Sequence, residues 1–129
     1  MKVPAFLLRR LYVKGSLRNV DGGYEFDLRN TLGSGYAERT LPLILDGGEV
    51  PSRGARFVVL GEVTPFDDVS PERPMTLGMN KTVTVSVSGR TLDPGKHKID
   101  IGFVVVGMGD MRFDVTDAIA EEEHGDDAA

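Results

Sequence analysis

Two histidines, His97 and His124, and no cysteine make up the whole supply of imidazole and thiol in this chain. Triad-type nucleophilic catalysis sets a base, oriented by an acid, beside a Ser, Thr or Cys. His124 lies in an acidic stretch near the C-terminus, so one imidazole is left for such work. The spacings HxH, HxxxH and HExxH, which place two imidazoles on one ion, do not occur. Without cysteine there is no disulfide framework, no thiolate nucleophile and no Cys-ligated zinc or iron–sulfur site. Paired carboxylates could do glycosidase acid–base work, and Asp67-Asp68 and Glu25/Asp27 are the candidates. Neighbours at i and i+1 diverge, however, and those at i and i+2 on a strand share an outward, solvated face. A loop calcium site through Asp67 and Asp68 would lack the EF-hand spacing. No catalytic, cofactor-binding or metal-ligating residue is therefore assigned within the chain.

Charge narrows the field of partners. The net charge of −5 arises in the last residues: Asp117, Glu121, Glu122, Glu123, Asp126 and Asp127 stand where no Lys or Arg is present. Residues 1–116 are close to neutral and offer no field to gather a phosphate backbone, which argues against nucleic acid. The longest apolar runs fall far short of the roughly 18 residues of a spanning helix. The opening Met1 to Arg10 is too short in apolar residues for a signal peptide. With cysteine absent as well, a cytoplasmic protein without membrane association is expected.

The elements that would have to position any site are strands. Asp93-Pro94-Gly95 makes a sharp turn, because proline presets φ near −65° and glycine accepts positive φ. Ile99, Ile101 and Phe103 then alternate with Lys98, Asp100 and Gly102 before the solid run Phe103–Val106. That run predicts an innermost strand covered on both faces. His97, just after the turn, reads as a corner residue pinning the strand's start rather than as a catalytic base. Thr82–Ser88 places valines on one face and hydroxyls on the other, and Tyr24, Phe26 and Leu28 do the same with Glu25, Asp27 and Arg29.

Further strands are expected at Leu11–Arg18, at Leu41, Leu43 and Leu45 with Pro42 on an edge, at Arg56–Leu60 and at Met111–Val115. Turns are expected at Asn19–Gly23 and Asp46-Gly47-Gly48, and a plain loop at Asn30–Gly35. Between Glu62 and Asn80 the alternation fails, and Thr64-Pro65 there resembles the cap and first position of one helical turn. Seven to eight strands at about ten-residue intervals predict an all-β fold, an antiparallel β-sandwich of immunoglobulin-like or jelly-roll-like type. Residues 1–116 would form that single domain, with 117–129 a disordered acidic tail.

Two segments have the composition of an interface. Phe6, Arg9, Arg10 and Tyr12 mix apolar anchors with cations in a stretch that has no acid before Asp21, a composition that suits a docking arm and equally a strand whose outward cations protect a sheet edge. Phe66, Asp67 and Asp68 lie in the long irregular segment, and such loops often carry binding surfaces.

Four motifs in order, Val13-Lys14-Gly15-Ser16-Leu17-Arg18-Asn19, Gly23-Tyr24-Glu25-Phe26, Leu45-Asp46-Gly47-Gly48-Glu49-Val50-Pro51 and Leu92-Asp93-Pro94-Gly95-Lys96-His97, resemble the small β subunit of C-glycoside deglycosidases. The similarity spans about residues 13–106. It implies a β-sandwich accessory subunit of a lyase- or isomerase-type complex in carbohydrate metabolism. The implied partner is a TIM-barrel α subunit related to sugar isomerases and epimerases, which would carry the divalent metal while this chain carries no cofactor. The alternative is an independent carbohydrate-binding or self-associating module, hence a homo-oligomer. Few aromatic residues stand behind a sugar platform: there is no Trp and there are three Tyr.

Overall fold

The computed structural model describes residues 3–119. Among them, eleven strands form two packed antiparallel sheets, an all-β sandwich as the alternation predicts. One sheet has the order β1 (Arg18–Val20), β2 (Gly23–Arg29), β9 (Thr82–Ser88), β6 (Ala55–Val59), β7 (Glu62–Pro65). The other has β5 (Gly48–Glu49), β4 (Ile44–Leu45), β10 (Gly95–Val105), β3 (Gly35–Thr40), β8 (Met75–Leu77), with β11 (Gly109–Ile119) along the remaining edge of β10.

β10 is the centre of its sheet because both of its edges are paired. One edge meets β11 from Gly95↔Ile119 to Val105↔Gly109, and the other meets β4 and then β3. Its inward residues Ile99, Ile101, Phe103 and Val105 are buried. Two-sided coverage, expected from the apolar run, is not what the fold provides. Val104 on the outer face is half-buried, and Val106, just past the strand, is 55% exposed. The outward valines of the run are thus covered in part or left in solvent, while both edges of the strand are paired.

The core joins the sheets through aromatic contacts. Phe57 of β6 stacks on Phe66 with ring centroids 4.3 Å apart and meets Phe103 of β10 at 6.1 Å. Tyr12 lies 5.8 Å from Phe26. Such pairs contribute about 1 kcal/mol each beyond the area they bury.

Turn chemistry explains the hairpins. Asp46 and Gly47 take φ of 52° and 85°, the doubly left-handed pair that matches strand twist between β4 and β5. Leu60 and Gly61 repeat the geometry between β6 and β7 at 51° and 83°, although a leucine there is strained and 93% exposed. The first hairpin turns on Asp21 and Gly22 alone, so Asn19 and Val20 belong to β1. Asn19 instead ties that strand to Leu92, donating to its carbonyl and accepting from its amide.

Several expected elements differ. The strand placed at Leu11–Arg18 is absent: α1 (Ala5–Leu8) and a 3-10 turn at Arg9–Leu11 come first, followed by a lone bridge, Tyr12↔Leu28. The period-two pattern of Leu11, Val13 and Leu17 is not the pattern of burial: Leu8, Tyr12 and Leu17 are buried against other elements, while Leu11 and Val13 are half-buried. The 62–80 segment is more regular than expected and holds β7, a 3-10 turn at Phe66–Asp68 and β8. Its helical turn starts one step later than expected, with Pro65 the last residue of β7 and no side-chain cap. Leu41 and Leu43 lie in the connection before β4. β11 runs through Asp117 to buried Ile119, past the boundary drawn at residue 116. The remaining acidic tail lies outside the described residues.

Candidate functional site

At one end the two sheets part and leave a cavity of about 390 Å³, within the roughly 300–1,000 Å³ of small-molecule pockets. Leu28 of β2 and Val83 of β9 form one wall, and Met75, Phe103, Val105 and Met111 form the other. The N-terminal segment closes the side with Leu7, Leu8 and Leu11. The lip consists of Asn30–Gly35 and the turn at Gly78–Lys81. Leu32, Val106 and Met108 line it while remaining exposed to solvent. A second cavity, about 290 Å³, lies among β6, β7 and β8 and mixes Phe57 and Val59 with Glu62 and Thr64. The first is the candidate, because its walls are apolar and its polar groups gather at one lip.

Local chemistry holds each part in place. Asn30 Oδ1 accepts from the amides of Leu32 and Gly33 while its Nδ2 donates to the Gly33 carbonyl at 2.6 Å, so the short loop is folded on its own side chain. The lip is tied across by the Asn80 amide donating to the Asn30 carbonyl and the Asn30 amide donating to that of Lys81. The N-terminal wall is clamped to β11 at two points. Arg9 donates through Nε to the Asp114 carbonyl at 2.8 Å and through Nη2 to its carboxylate at 3.1 Å. Asp117 Oδ2 accepts from the Tyr12 hydroxyl at 2.6 Å and from the Gly15 and Leu17 amides. Partial burial pushes Asp117 up, yet the Tyr12 hydroxyl and the Ala118, Leu17 and Gly15 amides hold it below the usual carboxylate range. Burial and the same contact raise the Tyr12 phenol.

The residues singled out in the sequence are scattered. Phe6 and Arg10 are exposed on the N-terminal segment, whereas Arg9 is tied to Asp114 and Tyr12 is buried against Asp117. Phe66 is buried on Phe57, and Asp67 and Asp68 beside it face solvent. The carboxylates Glu25 and Asp27 share Arg18, at 3.1 and 3.3 Å, and Thr84 donates to Asp27. Among the described residues no group of three His, Cys, Asp or Glu is placed to hold a metal ion. Of the cavity residues, Leu28, Val83, Phe103, Val105 and Met111 lie in strand patterns that read as core, whereas the lip and Met75 lie in segments that read as irregular. Only convergence in space separates a cavity wall from a filled core, and no linear signal carries it.

His97 has the role of a corner pin. Its Nδ1 is 2.6 Å from Asp46 Oδ2, its Nε2 is 2.7 Å from the Asp93 carbonyl, and Asp46 Oδ1 accepts from the Lys98 amide. Both ring nitrogens face acceptors, so the arrangement is complete for the imidazolium. Burial opposes that charge, but the Asp93 carbonyl and the Asp46 carboxylate outweigh it and raise the His97 pKa. The hydrogen bond from His97, then the Lys98 amide, hold Asp46 low. A raised histidine stabilises the fold fully below its unfolded pKa, near 6.5. That contribution is lost as pH rises through the folded value. Urea unfolding should show wild type losing stability as pH rises past about 6.5, with His97→Gln flattening the slope and costing about 1 kcal/mol at pH 6, given the exposure of Asp46. An unchanged slope in the variant would remove the pin.

The comparison with protein families matches residues 7–120 to the model described as "Hydroxymethylglutaryl-CoA reductase, N-terminal domain". The chain belongs to this family. No curated protein matches it. The match overturns the resemblance to the C-glycoside deglycosidase β subunit, and with it the accessory lyase-complex role and the carbohydrate-binding or self-associating alternative. The barrel-type partner and its metal, implied by that resemblance alone, lose their basis. The physical reason is visible in the fold: Asp46-Gly47 and Asp93-Pro94-Gly95 are hairpin and corner chemistry, which any antiparallel sandwich requires. Within the family match lie nearly all the cavity walls, β1 to β11 and the clamp at Asp117.

Proposed function

We propose that this chain is a ligand-binding domain of the hydroxymethylglutaryl-CoA reductase N-terminal type, whose cavity between the sheets receives a small apolar molecule. The observation that carries this is the cavity itself: about 390 Å³ walled by Leu, Val, Met and Phe, with its polar groups confined to the lip. Burying a hydrocarbon there releases ordered water at about 25 cal/mol per Å² of apolar surface removed from solvent. The family name refers to an enzyme acting on a CoA thioester. A supporting role beside such chemistry suits a cavity with no Asp, Glu or His in its lining. The lack of cysteine fits a reducing, cytoplasmic setting, and among the described residues no helix is long and apolar enough to cross a membrane.

A titration of the full chain with 1-decanol, followed by methyl NMR, tests the reading. Saturable shifts are expected at Leu7, Leu11, Val83 and Val105, with binding weakened at least ten-fold in Leu11→Trp, a half-buried wall position with room to accept the larger ring. Circular dichroism would show that this variant keeps its fold. Shifts spread over the surface, or no saturation at the solubility limit, would overturn the reading.

A further inference from the structure

The geometry points to a more specific occupant: a straight-chain acyl ligand with an anionic terminus, its chain in the cavity and its carboxylate at Lys81. This rests on the cavity being a binding site and adds the class of molecule. Lys81 is the one charged residue lining the cavity, and no acid lines it. It is exposed and makes no ion pair among the described residues. An ammonium at the lip of an otherwise apolar cavity offers one polar anchor at one end, which a single-headed amphiphile matches and an uncharged hydrocarbon or a polar sugar does not.

The backbone around Lys81 favours this placement. Its amide donates to the Gly78 carbonyl at 3.2 Å, closing a turn, and its carbonyl accepts from Asn30 across the lip. A Cβ added at Gly78 would lie 2.8 Å from Lys81 Cγ, so the glycine makes the space in which the lysine stem crosses the lip. Size selects the tail: at roughly 30 Å³ per water-sized group the cavity holds about a dozen such groups. That suits one chain of about ten carbons and excludes a two-tailed lipid. Exposed Leu32, Val106 and Met108 give the chain an apolar path inward.

Decanoate, 1-decanol and decylamine, titrated in parallel at pH 7.5 and low salt, separate the claims. Wild type should bind decanoate about five-fold more tightly than 1-decanol, the size expected of an exposed ion pair, and decylamine more weakly than either. The preference should shrink at 0.5 M salt. Lys81→Gln should bind decanoate and decanol equally. Gly78→Ala should lessen the preference while the charge remains. Equal binding of the three probes by wild type, or a preference that survives in Lys81→Gln, overturns the anionic assignment and leaves the apolar site standing. Failure of all three to bind overturns both.

Discussion

Gly23→Ala should unfold the protein at ordinary temperature or lower its midpoint by on the order of 10 °C, corresponding to about 3 kcal/mol or more. A Cβ built at Gly23 would lie 2.0 Å from the Val87 carbonyl oxygen and 3.0 Å from its carbon, so the obstacle is backbone of the central strand β9. Backbone cannot rotate away as a side chain can. Relief requires β2 and β9 to separate where Gly23 pairs with Ser88 and Tyr24 with Val87, beside the fully buried Phe26 and Val85. A domain this size has only about 5–15 kcal/mol to lose. Gly48→Ala is the control, because its added methyl would meet only the Leu45 carbonyl at 3.6 Å, an ordinary contact. Differential scanning calorimetry of both variants decides it, and equal midpoints would contradict the close approach of β2 and β9.

Asp117→Ala should cost about 3 kcal/mol and weaken ligand uptake as well. The carboxylate satisfies the Tyr12 hydroxyl and the Gly15 and Leu17 amides with one oxygen, and the Ala118 amide with the other. Hydrogen bonds to a charged group are worth about 1.5–3 kcal/mol, and truncation leaves donors near buried Tyr12 and Leu17 without an acceptor. Tyr12→Phe, which removes one donor and keeps the carboxylate, should cost about 1 kcal/mol. The pH dependence has a definite sign. A carboxylate held low contributes stability above its unfolded pKa, near 3.9, and loses it as pH falls through the folded value. Acid unfolding of wild type should therefore be steeper than that of Asp117→Ala. Because Tyr12 follows directly on the wall residues Leu7, Leu8 and Leu11, the variant should also bind 1-decanol less well. Full affinity in a destabilised variant would mean that the N-terminal wall is held by other contacts.

Much of the fold was legible because the governing interactions are local. Thr82–Ser88 and Tyr24–Leu28 alternate with period two and became β9 and β2 in register, Phe26 opposite Val85. Asp46-Gly47 turned because its two residues take positive φ, and Gly95 opens β10 at φ 110°. β3 was hidden because Ala37 is its one fully buried apolar residue, while Tyr36 faces solvent. β7 and β8 were hidden by Pro65 and Pro74, which break the pattern without preventing short edge strands.

The N-terminal segment shows the opposite case. Leu11, Val13, Gly15 and Leu17 alternate with Tyr12, Lys14, Ser16 and Arg18 as a strand would, yet the apolar residues that become buried are Leu8, Tyr12 and Leu17, packed against β2 and against β11, about a hundred residues along the chain. Asp117 looked like the first residue of an acidic tail and proved to be the anchor of that segment. Its partners are met only through space. The resemblance to the deglycosidase β subunit misleads for a related reason, since turn motifs report the geometry of hairpins and recur wherever antiparallel sheets do.

By itself the sequence determined an antiparallel sandwich, the absence of thiol chemistry and the sites of its tight turns. These follow from side-chain period and from φ at individual residues, quantities that a short stretch of chain settles alone. Tertiary structure decided the order of the strands in each sheet, that the sheets part at one end, and that Lys81 stands at the lip of the cavity there. Those depend on which distant surfaces meet and on where packing leaves space, and no local rule of dihedral or period encodes an empty volume.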